Sequence, residues 1–99
     1  MGRCKTLLVL LAGLAAGAAA AQEDGRKLFT GVAPACALCH TLKDAGASGA
    51  VGPSLDELKP DHDRVVKALK NGIGQMPAFP QLSEAQIQEL ARYVEKAAK

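Results

Sequence analysis

The apolar residues of this chain form one continuous run near its start, then three spaced stripes separated by small or polar segments. The run, Thr6 to Ala21, contains only Leu, Val, Ala and Gly after its first residue. It follows a basic head with Arg3 and Lys5, and ends in Ala18-Ala19-Ala20-Ala21 before Gln22-Glu23-Asp24. That layout predicts a secretory signal peptide over residues 1–21, with small residues at its cleavage site. At about 16 residues it is shorter than the ~20 that a membrane-spanning helix needs. The first stripe, Gly25 and Phe29 with Asp24 in the opening turn, predicts a short helix over 23–29. A glycine inside a helix costs stability, so Gly25 predicts a close crossing by another helix. The second stripe, Val65, Val66 and Leu69, predicts a helix over 61–70, with Asp61 or Asp63 as cap and Asn71-Gly72 as stop. The third is Ile87, Leu90, Ala91, Tyr93 and Val94, the buried face of a final helix opened by a Ser83/Gln86 capping box. This last face should cross the first helix at Gly25 and Phe29, with Tyr93 as the aromatic partner.

Between the stripes lie segments without a period. Thr30 to Ala35 carries Gly31 and Pro34 and reads as a break. The tract Ala45-Gly46-Ala47-Ser48-Gly49-Ala50-Val51-Gly52-Pro53-Ser54-Leu55 reads as a loop, and Ile73 to Pro80 as a second loop stiffened by Pro77 and Pro80.

The chemistry sits at Cys36-Ala37-Leu38-Cys39-His40, a C-x-x-C-H sequence that is the signature of c-type haem attachment. Each thiol adds across one vinyl group of the porphyrin, and His40 can then ligate the iron from the proximal side. Three other readings of paired thiols compete: a disulfide, half of a zinc site, or a thioredoxin-like pair. Zinc would need two further ligands, and the soft or imidazole candidates are Cys4, inside the expected signal peptide, and His62. A thioredoxin-like pair would need a βαβ pattern, which the stripes do not provide.

A haem-ligating histidine needs its second ring nitrogen held by a hydrogen bond, and the carbonyl of Pro53 in a rigid turn can accept it. Leu55 follows as an apolar contact to the ring. Met76 is the expected sixth ligand. Once Met1 is removed it is the sole methionine, and it lies in a proline-punctuated loop rather than on a helix stripe. His62 lies between Asp61 and Asp63 and reads as a solvated surface residue rather than a ligand.

Charge and composition narrow the partners. The whole chain carries +2, but cleavage removes Arg3 and Lys5 and leaves ten basic residues against ten acidic ones. A neutral mature chain has no electrostatic motive for nucleic acid. The remaining 78 residues, with no Trp, one Tyr and two Phe, make a core too small to stand without a staple, which a covalent haem would provide.

The order of these motifs resembles a bacterial class I (monodomain) cytochrome c. Short helix, C-x-x-C-H, Gly52-Pro53-Ser54-Leu55, helix, Met76-Pro77-Ala78-Phe79 and a last helix bearing Tyr93 follow one another across residues 23–98. The resemblance implies an all-α cytochrome c fold, about four short helices wrapped around one covalent haem with one edge exposed, in a domain spanning 22–99. It implies Pro53 as the acceptor for His40. It also implies a periplasmic one-electron carrier rather than an enzyme, with a dehydrogenase donor, an oxidase or reductase acceptor, and no stable membrane insertion after signal cleavage. The segment Asn71 to Phe79 is most similar to small periplasmic cytochromes c, and comparable proteins serve as electron-accepting subunits of periplasmic sulfite dehydrogenases. An open-site haem enzyme is the remaining alternative. It would need Met76 off the iron and a distal acid or base, for which His62 is poorly placed.

Overall fold

The computed structural model describes residues 24–99; the expected signal peptide lies outside the described residues. The first helix, α1, covers 24–31, with Asp24 in its opening turn. Its inward face carries Gly25 and Phe29, and both are buried. The chain bends through 32–34 and enters a single helical turn, α2 (Cys36–Cys39).

The small-residue tract is more structured than its composition predicts. Thr41–Leu42 (β1) pairs antiparallel with Ala47–Ser48 (β2), in the register Thr41 to Ser48 and Leu42 to Ala47. A 3₁₀ turn over Lys43–Ala45 closes this hairpin, with Gly46 in the left-handed region at φ 64°. Leu42 and Ala47 are both buried, so one face of the ladder serves the core. A further turn of helix, α3 (Leu55–Leu58), follows. The Ser54 hydroxyl caps it by accepting from the Glu57 N–H at 3.4 Å. Elements of two to four residues have no room for a repeating stripe, so neither the hairpin nor α3 leaves a periodic signal. The described residues therefore hold five α-helices, the three that the stripes predict and the two single turns α2 and α3.

α4 (His62–Asn71) starts at Asp61, whose carboxylate accepts from the Arg64 N–H at 2.8 Å, and stops at Gly72, φ 70°. α5 (Glu84–Ala97) opens on the expected capping box. The Gln86 N–H donates to Ser83 Oγ at 3.1 Å, and the Ser83 N–H donates to Gln86 Oε1 at 2.9 Å. α4 and α5 pack extensively against each other.

α1 crosses α5 where the sequence places the crossing. A Cβ built on Gly25 would lie 2.4 Å from the Cβ of Tyr93, so only a hydrogen fits there. The rings of Phe29 and Tyr93 meet edge to face with centroids 6.2 Å apart. Tyr93, Phe29, Leu42 and Leu90 are the largest fully buried side chains, and Leu55, Leu69, Phe79, Ile87 and Val94 complete the core around them. Among the described residues no helix is long and apolar enough to cross a membrane.

Candidate functional site

α2 positions the two thiols one turn apart, and the chain leaves the helix at His40 in an extended conformation, φ −120° and ψ 140°. Both cysteines are half-buried free thiols, and burial pushes the Cys36 thiol up to about 11. A disulfide between them is therefore absent among the described residues. Among the described residues no three His, Cys, Asp or Glu side chains gather as a metal cluster.

His40 is held from one side only. Its Nδ1 lies 2.7 Å from the carbonyl oxygen of Pro53. A carbonyl can only accept, so Nδ1 carries the proton and Nε2 keeps its lone pair. The returning tract holds this geometry tightly. The Gly52 N–H donates to the Cys39 carbonyl at 2.7 Å, and Thr41 Oγ1 donates to the Gly49 carbonyl at 2.9 Å. A Cβ on Gly52 would lie 2.6 Å from His40 Cε1, and one on Gly49 would lie 2.6 Å from the Leu38 backbone. The glycines of this tract thus make room for the motif's own backbone and for the imidazole.

Leu55, two residues after Pro53 and the first of α3, is buried in the core. Met76 comes from a different part of the fold, the arc 72–82 between α4 and α5, and is half-buried against the core. Its N–H and carbonyl both bond to Ile73, at 2.9 and 3.1 Å, closing a tight turn with Gly74 at φ 55°. Phe79 anchors the same arc, with its ring buried and its N–H donating to the Leu69 carbonyl at 2.8 Å. His62 takes no part in this site. Its Nδ1 lies 3.3 Å from Asp63 and its N–H donates to Glu95 at 2.7 Å.

Two side-chain groups have no signature in the sequence. Tyr93 Oη donates to Asp44 Oδ2 at 2.6 Å, and Arg26 donates to the same oxygen at 3.0 Å, so α1, the 3₁₀ turn and α5 meet on one carboxylate. The Tyr93 hydroxyl and the Arg26 guanidinium hold Asp44 below the usual carboxylate range, while burial and then Asp44 push Tyr93 up to about 12. Separately, Gln81 Nε2 donates to the Ala33 carbonyl at 2.8 Å, joining the Met76 arc to the bend before α2.

Paired thiols on one turn, an imidazole with its distal nitrogen free, and glycines that leave it room fit covalent haem attachment. A protein-family profile described as "Cytochrome C oxidase, cbb3-type, subunit III" matches residues 20–94. The solved structure of the c-type cytochrome SorU from Sinorhizobium meliloti is similar at 52% identity and a TM-score of 0.77, over 79% of this chain and 91% of that one. No curated protein sequence matches. Motif, geometry and likeness agree: this chain belongs to the class I c-type cytochromes, electron carriers with one haem c bound covalently, here through Cys36 and Cys39.

Proposed function

We propose that the protein is a periplasmic one-electron carrier whose haem is ligated by His40 and Met76. The observation that carries this reading is the His40–Pro53 contact at 2.7 Å, which fixes the tautomer that leaves Nε2 free to donate. When bound, haem c supplies one-electron Fe(III)/Fe(II) cycling. Pro53 orients the imidazole and makes it a better donor by accepting its other proton. Met76 offers a soft thioether, which favours the ferrous state and raises the potential relative to a bis-histidine site. Its backbone is pinned to Ile73, so the sulfur swings on a short lever. Leu55, Leu69 and Phe79 keep the surroundings apolar, which disfavours the extra charge of the oxidised state. Such a carrier needs no substrate site and no proton relay, which is why we read it as a non-enzyme.

Electron exchange requires a partner, and the apolar surface beside the attachment motif suits a brief, small encounter. Leu38 is 68% exposed and Val51 is 78% exposed, and the tract bearing Val51 packs directly on the motif backbone. Export by a cleaved signal peptide over 1–21 accounts for the apolar run ahead of the domain at 22–99. A dehydrogenase is the natural donor. The resemblance to small periplasmic cytochromes makes the electron-accepting subunit of a sulfite dehydrogenase a specific version of this role, and the oxidase description of the matching family supports a terminal oxidase as an acceptor.

Met76→Ala tests the ligand set. The matured variant should lose the weak methionine–iron charge-transfer band of the ferric spectrum, show a lower midpoint potential, and bind cyanide and carbon monoxide readily. An unchanged spectrum and midpoint would remove Met76 from the iron.

A further inference from the structure

The first half of the chain, through α2 and the hairpin, carries the haem-attachment motif, and the second, from α4 to α5, carries Met76. Both pack on one core, and the ties between them decide whether a thioether reaches an iron held at α2. Inside its own half the arc 72–82 is well fixed: Phe79 is bonded to Leu69, Met76 to Ile73, and Leu82 to Phe79. The ion pair Lys70–Glu84, 2.9 Å, joins the end of α4 to the start of α5, again within that half. Toward the other half, among the described residues, the arc makes one hydrogen bond: Gln81 Nε2 to the Ala33 carbonyl at 2.8 Å. Ala33 lies three residues before Cys36, so this bond ends on the backbone that leads into the attachment turn.

The geometry points to Gln81 as a positioning residue that latches the Met76 arc to the bend ahead of α2 and so limits opening of the sixth coordination position. This rests on the reading of Met76 as the sixth ligand. The latch is specific in its chemistry, because the acceptor is a carbonyl and only a donor of glutamine's length satisfies it. Its partners are solvent-exposed, so water competes for both ends and the effect is modest. A neutral hydrogen bond of this kind corresponds to about a threefold to tenfold change in the fraction of time the arc is released.

Cyanide binding to the oxidised, haem-loaded protein reads that fraction directly, since cyanide needs the sixth position free. Gln81→Ala should raise the association rate about threefold to tenfold over the unsubstituted protein at the same pH. Gln81→Glu should do the same near neutrality, where a carboxylate has no proton to give. Its rate should then return toward the unsubstituted value below about pH 4, where the protonated carboxyl can donate to Ala33. Lys70→Ala, which loosens the same region without touching the latch, should leave the rate unchanged.

Wild-type rates in both Gln81 variants, with fast binding in Met76→Ala, would overturn the latch and leave the ligand set standing. Equal acceleration by Lys70→Ala would overturn it too, since any loosening would then suffice. A Met76→Ala variant with unchanged spectrum and cyanide rate would instead overturn the ligand assignment beneath it.

Discussion

At the scale of single residues, the site depends on positions where nothing larger than hydrogen fits. Gly52 is the sharpest of these, because the atom a side chain would strike belongs to His40 itself, at 2.6 Å. The ring cannot retreat without lengthening its bond to Pro53, and the Gly52 backbone is tied by its own bond to Cys39. Gly52→Ala should therefore destabilise the haem-loaded protein by about 1–3 kcal/mol, the usual cost of overpacking a close contact. It should also shift the haem spectrum, because the imidazole proposed as the proximal ligand moves. Gly31, at the end of α1, has nothing within 4 Å of its would-be Cβ. Gly31→Ala should be neutral, or stabilising by up to about 1 kcal/mol, through helix propensity alone. Urea unfolding of the two variants side by side checks both expectations. A tolerated Gly52→Ala would mean that the tract can move away from the imidazole.

Between elements, the carboxylate of Asp44 is the junction, and its pH dependence has a definite sign. Asp44 is held below its ordinary value by Tyr93 and Arg26, so its contribution is present above the unfolded pKa of about 4 and is lost as pH falls through the lower folded value. Tyr93 moves the other way. Its folded pKa is raised to about 12, so its contribution is full below the unfolded value of about 10 and is lost as pH climbs from there. Stability should thus show a plateau flanked by an acid and an alkaline limb. Tyr93→Phe should lower the plateau by about 1.5–3 kcal/mol, the range for a hydrogen bond to a charged group, and flatten the alkaline limb. Unfolding midpoints measured across pH in both proteins would show it; identical alkaline limbs would detach Tyr93 from that limb. This junction also marks how far the sequence could be read. α4, α5 and the crossing at Gly25 follow from stripes, caps and a glycine on a buried face, all of which repeat or sit at fixed offsets. Asp44, Gln81 and the hairpin do not. Asp44 meets a side chain 49 residues away and Gln81 a backbone carbonyl 48 residues away. Such pairings leave no local mark, because many polar side chains could equally have made them. The motif residues were legible for the opposite reason, since covalent attachment fixes thiols and imidazole at adjacent positions.

For the molecule as a whole, the question is whether the protein core holds the fold without its cofactor. The fully buried side chains concentrate where α1, β1 and α5 meet, at Phe29, Leu42, Leu90 and Tyr93. Leu58, Val65, Val66 and Met76 pack on that centre but remain half-buried, so the flank nearest α3, α4 and the arc is only partly covered by protein. Leu38, Val51 and Ile73 are well exposed. A domain of this length supplies at most about 3–5 kcal/mol from a complete core, and here part of the apolar surface has no protein partner. Haem c offers those side chains a broad apolar plate and, through two thioether bonds, keeps it attached in the unfolded chain as well. The prediction is that Cys36→Ala/Cys39→Ala, which prevents attachment, yields a chain with weak helical circular dichroism, rapid amide exchange throughout α4 and the arc, and no cooperative thermal transition. The α1–α5 contact, with Gly25 against Tyr93 and Asp44 bridging to Arg26, is the part best able to persist, because its burial is complete without the cofactor. Exchange protection confined to α1 and α5 would fit that division of the core. A sharp transition with protection extending through α4 would show instead that the protein side chains suffice, and that haem is carried by a fold already made.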